Sequence, residues 1–345
     1  MRIAHVAPLG FRVPPTHYGA AQRFISYLVE QQVRDGHEVT LFACSGSSTS
    51  ANLVECADGE VPVTNWQRHM VEHIRMYEEV YRREDQFDII HNNTQMFIGP
   101  LARRSRTPTV TTIHHAPEIP GINVWPTKLL EHYAELPLVA VSTSQRRLRP
   151  DLNWQAVIHH GLPQNAYDFC PEPEEYLVHI GRADSEKGLP DAVRIAKASG
   201  LKLKVAAYAN PKSPEYWDSL QQYLKDPGVE FVGEVGDREK QDLIGHAKAL
   251  LFPIQWEEPF GIVLIEALAC GTPVIAYRRG AVPEIIKDGV NGWLVSNIDE
   301  AAAAVGTIDS VDRINCRRSF EERFTAQRMA SDYEHAYEQI LKQSS

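Results

Sequence analysis

The sequence has no long apolar run. No stretch approaches the ~18 residues that a membrane-spanning helix requires, so neither a transmembrane segment nor stable membrane insertion is expected. The opening Met1-Arg-Ile-Ala-His-Val-Ala-Pro8 is too briefly apolar for a signal peptide and reads as a first strand. Cysteine is scarce. The five residues (Cys44, Cys56, Cys170, Cys270, Cys316) are scattered, with no Cys-x-x-Cys pair. That argues against a zinc site and for a reducing compartment, so a cytoplasmic location is expected. Positive charge is in deficit, 35 Lys and Arg against 45 Asp and Glu, a net charge of −10. A nucleic-acid partner is therefore not expected. A polyanionic ligand would need local positive features, because the global field repels it. No Asp-x-Asp occurs anywhere, so no metal-diphosphate site is expected. His69 and His73 are four apart, but no Glu follows the first and no third ligand is near, so metal binding there is not expected either.

What is present fits an ordinary globular α/β chain, and 345 residues suggest two domains. The most informative stretch is 249–280. Ala249 to Phe252 reads as a short buried strand, Gln255 to Pro259 as an acidic loop, Gly261 to Cys270 as a helix with Gly271 as its C-cap, and Pro273 to Ala276 as a second strand. This is the parallel α/β unit. Apolar side chains surround the helix, and Glu266 is its only charge. A buried carboxylate requires a hydrogen-bonding partner. That partner is either a ligand hydroxyl or a neighbouring Lys or Arg. Glu258 precedes the helix by one loop. The backbone N–H groups of Gly261, Ile262 and Val263 lie between the two glutamates, and a helix N-terminus of this kind suits an anion.

A second charged element follows the strand expected at Tyr176 to Ile180: Gly181-Arg182-Ala-Asp-Ser-Glu-Lys187-Gly188. A glycine, two cations five apart and a second glycine before a helix suit a diphosphate, with Arg182 chelating two oxygens and Lys187 adding a point charge. A solvated surface loop is the alternative. Arg2 to Pro8, a proline-rich loop ending at Gly19, a helix with Phe24, Ile25, Leu28, Val29 and Val33 on one face, and His37 to Ala43 form a βαβ opening. Residues 45–60 read as a loop. Trp66, Met70, Ile74, Tyr77 and Tyr81 mark one face of a helix, whose mixed charge speaks against a membrane-surface role. Thr109 to Ile113 is a strand that runs into His114-His115. A His just past a strand's C-terminal end lies in the ligand crevice of an open α/β sheet.

Together these motifs resemble the retaining glycosyltransferases of family 4. The resemblance rests on Gly181-Arg182…Lys187-Gly188, Phe231-Val-Gly-Glu-Val235, Glu258-Pro-Phe260-Gly261 with Glu266-Ala eight residues on, Cys270-Gly-Thr-Pro-Val, and Gly280-Ala-Val-Pro-Glu284 through Asn291-Gly292. It is densest over 176–295. It implies the GT-B architecture, two Rossmann-like domains with a ligand cleft between them. The domains would be 1–165 on the acceptor side, 176–319 for the nucleotide sugar, and 320–345 as a terminal helix from about Phe320 to Lys342 that crosses back. The resemblance also implies the site. His114 and Glu258 would face the sugar, Arg182 and Lys187 the diphosphate, and Glu266 the ribose. Val235 and its neighbours would hold the nucleobase through backbone groups, and Gly19, Phe260, Gly261, Ile262 and Val263 would line the donor. The family has paired glycines and an acidic residue in its first loop; here they are Gly19-Ala20 and Gln22. Where it commonly has Asn-Gly, this chain has His160-Gly161, and His159 and His160 read as part of a turn.

The expected activity is metal-independent retaining transfer of a hexose from a nucleotide diphosphate sugar, UDP-hexose first, to a hydroxyl of a small-molecule, glycan or lipid-linked acceptor. In the mechanism implied by the resemblance, the leaving phosphate takes the acceptor proton. No separate cofactor is expected. The competing readings are a glycoside phosphorylase or sugar-nucleotide epimerase on the same architecture, and a non-catalytic nucleotide-sugar binding module.

Overall fold

A computed structural model of the chain describes residues 1–16, 19–116, 125–209 and 214–344. It divides into two compact units, Met1–Pro163 with Ala326–Ser345, and Gln164–Thr325. Each unit is built on a parallel sheet flanked by helices.

In the first unit the described strands are β1 (Arg2–Val6), β2 (Glu38–Cys44), β3 (Asn52–Ala57), β4 (Ile89–Asn92), β5 (Thr109–Ile113), β6 (Leu138–Ala140) and β7 (Trp154–Val157). Their order is β3-β2-β1-β4-β5-β6-β7, and the strand pairs are parallel. Parallel strands covered on both faces need near-continuous apolar sequence, which Ile3, Ala4, Val6, Ile89, Ile90 and Val110 supply. The strand order reverses at β1 and β4, the switch point where open α/β sheets hold ligands.

The second unit contains β8 (Tyr176–Ala183), β9 (Lys202–Ala209), β10 (Val229–Gly233), β11 (Ala249–Phe252), β12 (Val274–Tyr277) and β13 (Gly292–Val295), in the order β10-β9-β8-β11-β12-β13. Here the order reverses at β8 and β11. Each unit is therefore a doubly wound, Rossmann-like layer.

Four local expectations change. Residues 45–60 contain β3, which pairs with β2 from Thr40–Asn52 onward. It is an edge strand with one neighbour and a largely half-exposed face, so it lacks the apolar signature of the central strands. Strand β8 extends to Ala183, so Gly181 and Arg182 belong to the strand, with Arg182 in register with Tyr208. Helix Trp66–Arg82 forms, but its buried side chains are His73, Met76, Tyr77 and Val80. Trp66 and Ile74 are 52% and 57% exposed. The face that packs follows the i, i+3, i+4, i+7 row from His73, one step round from the row chosen on hydrophobicity. The expected helix from Phe320 is two helices, Arg313–Arg323 and Ala326–Ser344. The break at 324–325 falls at the unit boundary. Ala326 N–H donates to Leu162 O at 2.7 Å, and Met329, Tyr333, Tyr337 and Ile340 join Ile3, Leu28, Ile89 and Val110 in the first unit's core.

Candidate functional site

In the second unit the candidate residues gather at the C-terminal ends of β8 and β11, with Arg182 near the end of β8's pairing with β9 and Lys187 and Glu258 on the segments that follow the two strands. Helix Ile262–Cys270 starts at Gly261, which is left-handed with φ 88° and offers no side-chain cap. Leu264 N–H already donates to Gly261 O at 3.1 Å, so the first-turn N–H groups left to meet an anion are those of Ile262 and Val263. Gly271 closes the helix with φ 83°. Phe260, buried before the helix, packs edge-on against Phe324 at 6.3 Å and anchors the loop.

Glu258 is buried on that loop. Its Oε2 accepts from Lys187 Nζ at 2.7 Å and from Trp256 Nε1 at 2.9 Å. The two residues assigned from sequence to sugar and diphosphate are thus in direct contact. The loop is held from behind. Ala281 N–H donates to Glu258 O at 2.9 Å, Gly280 N–H to Glu257 Oε2 at 2.8 Å, and Arg279 Nη1 to Gln255 O at 2.9 Å. Gly280 has φ 55°, and a Cβ there would run into the Glu258 backbone. Gly188 has φ 72°, and a Cβ there would strike the Pro253 carbonyl. Both glycines are required by close backbone approach. Gln255 N–H donates to Glu186 O at 2.7 Å, joining the β8 and β11 loops.

Arg182 is paired with Asp184 through Nε and with Glu186 through Nη2 at 3.3 Å. Burial, and then the neighbouring Asp184, raise the Glu186 carboxyl above its ordinary value. Two cations and three carboxylates thus occupy one small region. Buried in the adjoining helix, Glu266 uses Oε1 to accept from Tyr167 OH at 2.7 Å and from Lys240 Nζ at 2.6 Å. Lys240 is a neighbouring cation of the kind expected from the sequence, and Tyr167 is a second donor. Lys240 lies on helix Asp237–Gly245, whose start follows the half-buried Val235. Arg182, Lys187, Glu258, Phe260, Gly261, Ile262 and Val263 are brought to one end of the sheet.

The remaining two candidates lie in the first unit. Gly19 is the N-cap of helix Ala20–Arg34 with φ 147°, and a Cβ there would lie 2.7 Å from Pro15 Cβ. His114 follows β5. Its Nε2 is 3.0 Å from Asn93 Oδ1, and its ring stacks on His160 at 5.3 Å and 8°. His160 stacks on Phe24 at 3.6 Å. Burial depresses His114 to about 3, so its imidazole is neutral near pH 7. His160, read from sequence as a turn residue, is therefore part of the His114 environment. His115 Nδ1 is bonded to Ala116 O at 2.9 Å. His73, four residues from His69, accepts Leu9 N–H at Nε2, 3.3 Å, and bonds His69 O through Nδ1, 2.7 Å. It fastens the loop after β1.

Sequence reasoning did not pick out Trp256, Tyr167, Asp184, Glu186 or Asn93 as members of these clusters. Trp256 and Asp184 had a signal, since each is two residues from a candidate. Tyr167 had none, being 99 positions from Glu266.

Two family models match the chain. "Glycosyltransferase Family 4" covers residues 21–154 and "Glycosyl transferases group 1" residues 169–323. D-inositol 3-phosphate glycosyltransferase of Mycobacterium marinum is 30% identical over 258 residues, 64% of this chain and 55% of that protein. The chain spans 55%, 30% and 47% of the length of three curated relatives. Sucrose-phosphate synthase of Thermosynechococcus elongatus shares the fold, with a TM-score of 0.83 at 18% identity, covering 99% of this chain and 100% of that one. HepE of Anabaena, solved with UDP and glucose, has a TM-score of 0.76 at 17% identity over 98% and 99% of the two chains.

Proposed function

We propose that this chain, which belongs to glycosyltransferase family 4, moves a hexosyl group from a nucleoside diphosphate sugar to an acceptor hydroxyl with retention at the anomeric carbon. One observation carries the reading. Arg182, Lys187, Glu258 and the uncapped start of helix 262–270 meet at the reversal of strand order in the second unit. A diphosphate is the ligand class that suits two cations and a row of backbone N–H groups.

On this reading the diphosphate takes Lys187 from Glu258 and Arg182 from Asp184 and Glu186. Glu258, released, accepts sugar hydroxyls. Positive charge and backbone dipoles then stabilise the leaving diphosphate as the glycosidic bond lengthens. Within the second unit Glu266 holds the ribose hydroxyls beside Lys240, Val235 lies against the base and Phe260 lines the donor; within the first unit His114 and Gly19 are the residues that offer contacts to a sugar. The leaving phosphate oxygen accepts the acceptor proton on the same face. The sequence's lack of Asp-x-Asp supports transfer without a metal. The ligands of HepE, UDP and glucose, make UDP-glucose the first donor to test.

The test follows UDP release from UDP-glucose over a panel of hydroxyl acceptors, with the product anomer read by proton NMR. An α-linked product from the α-configured donor is expected, and a β-linked product would overturn retention. Sugar phosphate formed only with inorganic phosphate, or an isomerised donor without acceptor, would replace transfer by the phosphorylase or epimerase reading. Tight donor binding with no turnover on any acceptor would favour the binding module.

A further inference from the structure

We infer that Asn93 is a positioning residue, which holds His114 in the tautomer whose Nδ1 is a bare acceptor for a sugar hydroxyl; this rests on the proposed function. Asn93 Nδ2 donates to His91 O at 3.4 Å, so its Oδ1 is the atom that faces His114. A carboxamide oxygen only accepts, so His114 Nε2 must carry the proton. In a neutral imidazole the other nitrogen is then unprotonated. That Nδ1 is buried and has no partner among the described residues. An acceptor so placed is costly unless a donor meets it, and a ligand hydroxyl is a donor of the right kind.

The surroundings over-determine this arrangement. Asn93 N–H donates to Val6 O at 2.9 Å, which fixes the residue against β1. Asn92 Nδ2 donates to Gln95 O at 2.8 Å and to Thr111 Oγ1 at 3.1 Å, and Asn92 Oδ1 accepts Thr94 N–H at 3.0 Å. Gln95 is held at φ 60°, ψ −175°, a region that non-glycine residues avoid. Strain of this kind persists where the neighbouring structure enforces a geometry. The stack His114–His160–Phe24 fixes the ring plane, leaving Asn93 to decide which nitrogen bears the proton.

Nitrogen-15 NMR of the histidine rings in the full-length protein tests this, with His114→Gln identifying the His114 signal. Wild type should show an imine-type Nδ1 and a pyrrole-type Nε2 at pH 7. Asn93→Leu should mix the tautomers and lower turnover roughly tenfold, the worth of one hydrogen bond. Asn93→Asp still accepts from Nε2 and should keep the tautomer. Discrimination against a deoxy donor lacking the bonded hydroxyl should weaken in Asn93→Leu. A protonated Nδ1 in wild type overturns the positioning role whatever the donor does, and it needs no variant to fold. So does an unchanged tautomer in Asn93→Leu. A wild type of the expected tautomer that binds no nucleotide sugar overturns the function, and with it the hydroxyl.

Discussion

The pair between Lys240 and Glu266 gives the most demanding test of the packing described for the second unit. Glu266 is 1% exposed and accepts from Lys240 Nζ at 2.6 Å and Tyr167 OH at 2.7 Å. Lys240 retains some solvent contact, and Asp237 lies 3.8 Å from its ammonium. Glu266→Gln keeps an acceptor but removes the charge. Downgrading a charge-assisted bond to a neutral one costs about 1 kcal/mol, and Asp237 and water compensate Lys240 in part. A loss of about 1–2 kcal/mol is expected. Glu266→Leu removes the acceptor from both donors and should cost about 3–5 kcal/mol. Lys240→Met alone leaves a buried carboxylate with one neutral donor and should also cost more than Glu266→Gln. Urea unfolding of wild type, Lys240→Met, Glu266→Gln and the double variant closes a double-mutant cycle. A coupling of about 1 kcal/mol or more is expected. Coupling within ~0.3 kcal/mol of zero would refute the pair as a stabilising contact. A Glu266→Gln protein that does not fold at all would refute the mild cost. In the folded variant, the proposed contact of Glu266 with the ribose predicts that UDP and UDP-glucose both bind more weakly, since the ribose is common to them.

Three further outcomes follow from the same structure. Gly280→Ala places a Cβ on the Glu258 backbone at φ 55°, so it should cost about 2–3 kcal/mol in unfolding experiments and reduce donor affinity; a neutral result would mean that the loop contact is not formed. Burial depresses His5, His73 and His179 to about 4 and His114 to about 3, below the unfolded value near 6.5, so the unfolded chain binds more protons and stability should fall as pH drops from about 6.5 toward 4; each histidine contributes on the order of 1.4 kcal/mol per pH unit inside that window, and a flat melting temperature from pH 7 to 4 would contradict it. Turnover should persist in excess EDTA, and loss that Mg²⁺ or Mn²⁺ restores would show that a metal carries the leaving-group charge.

The central α/β unit was legible because its signals are local. An all-apolar helix with one glutamate, closed by Gly271 and flanked by two short apolar strands, has few other folds available. The switch-point loops were legible for the same reason, since glycine and charge cluster within eight residues at 181–188. What the sequence concealed is long-range. Glu266 finds Lys240 and Tyr167 only through tertiary packing. Strand β3 exists because β2 offers an edge, and the face of helix 66–82 that packs depends on where the sheet lies beneath it. Arg182 looked like a loop residue because a glycine precedes it, whereas pairing with β9 carries β8 through both. Asn93 carries no local signal, because its side chain matters only once β4 and β5 lie side by side.

On the proposed function, the second unit binds a nucleoside diphosphate through Lys187, Arg182 and the start of helix 262–270. Calorimetric titration of UDP and other nucleoside diphosphates into wild type, Lys187→Ala and Arg182→Ala tests it directly. Saturable wild-type binding to at least one of them is predicted, weakened in each variant by about 1.5–3 kcal/mol, the worth of a charged hydrogen bond. Unchanged affinity in both variants, or no binding of any nucleoside diphosphate by wild type, would contradict it.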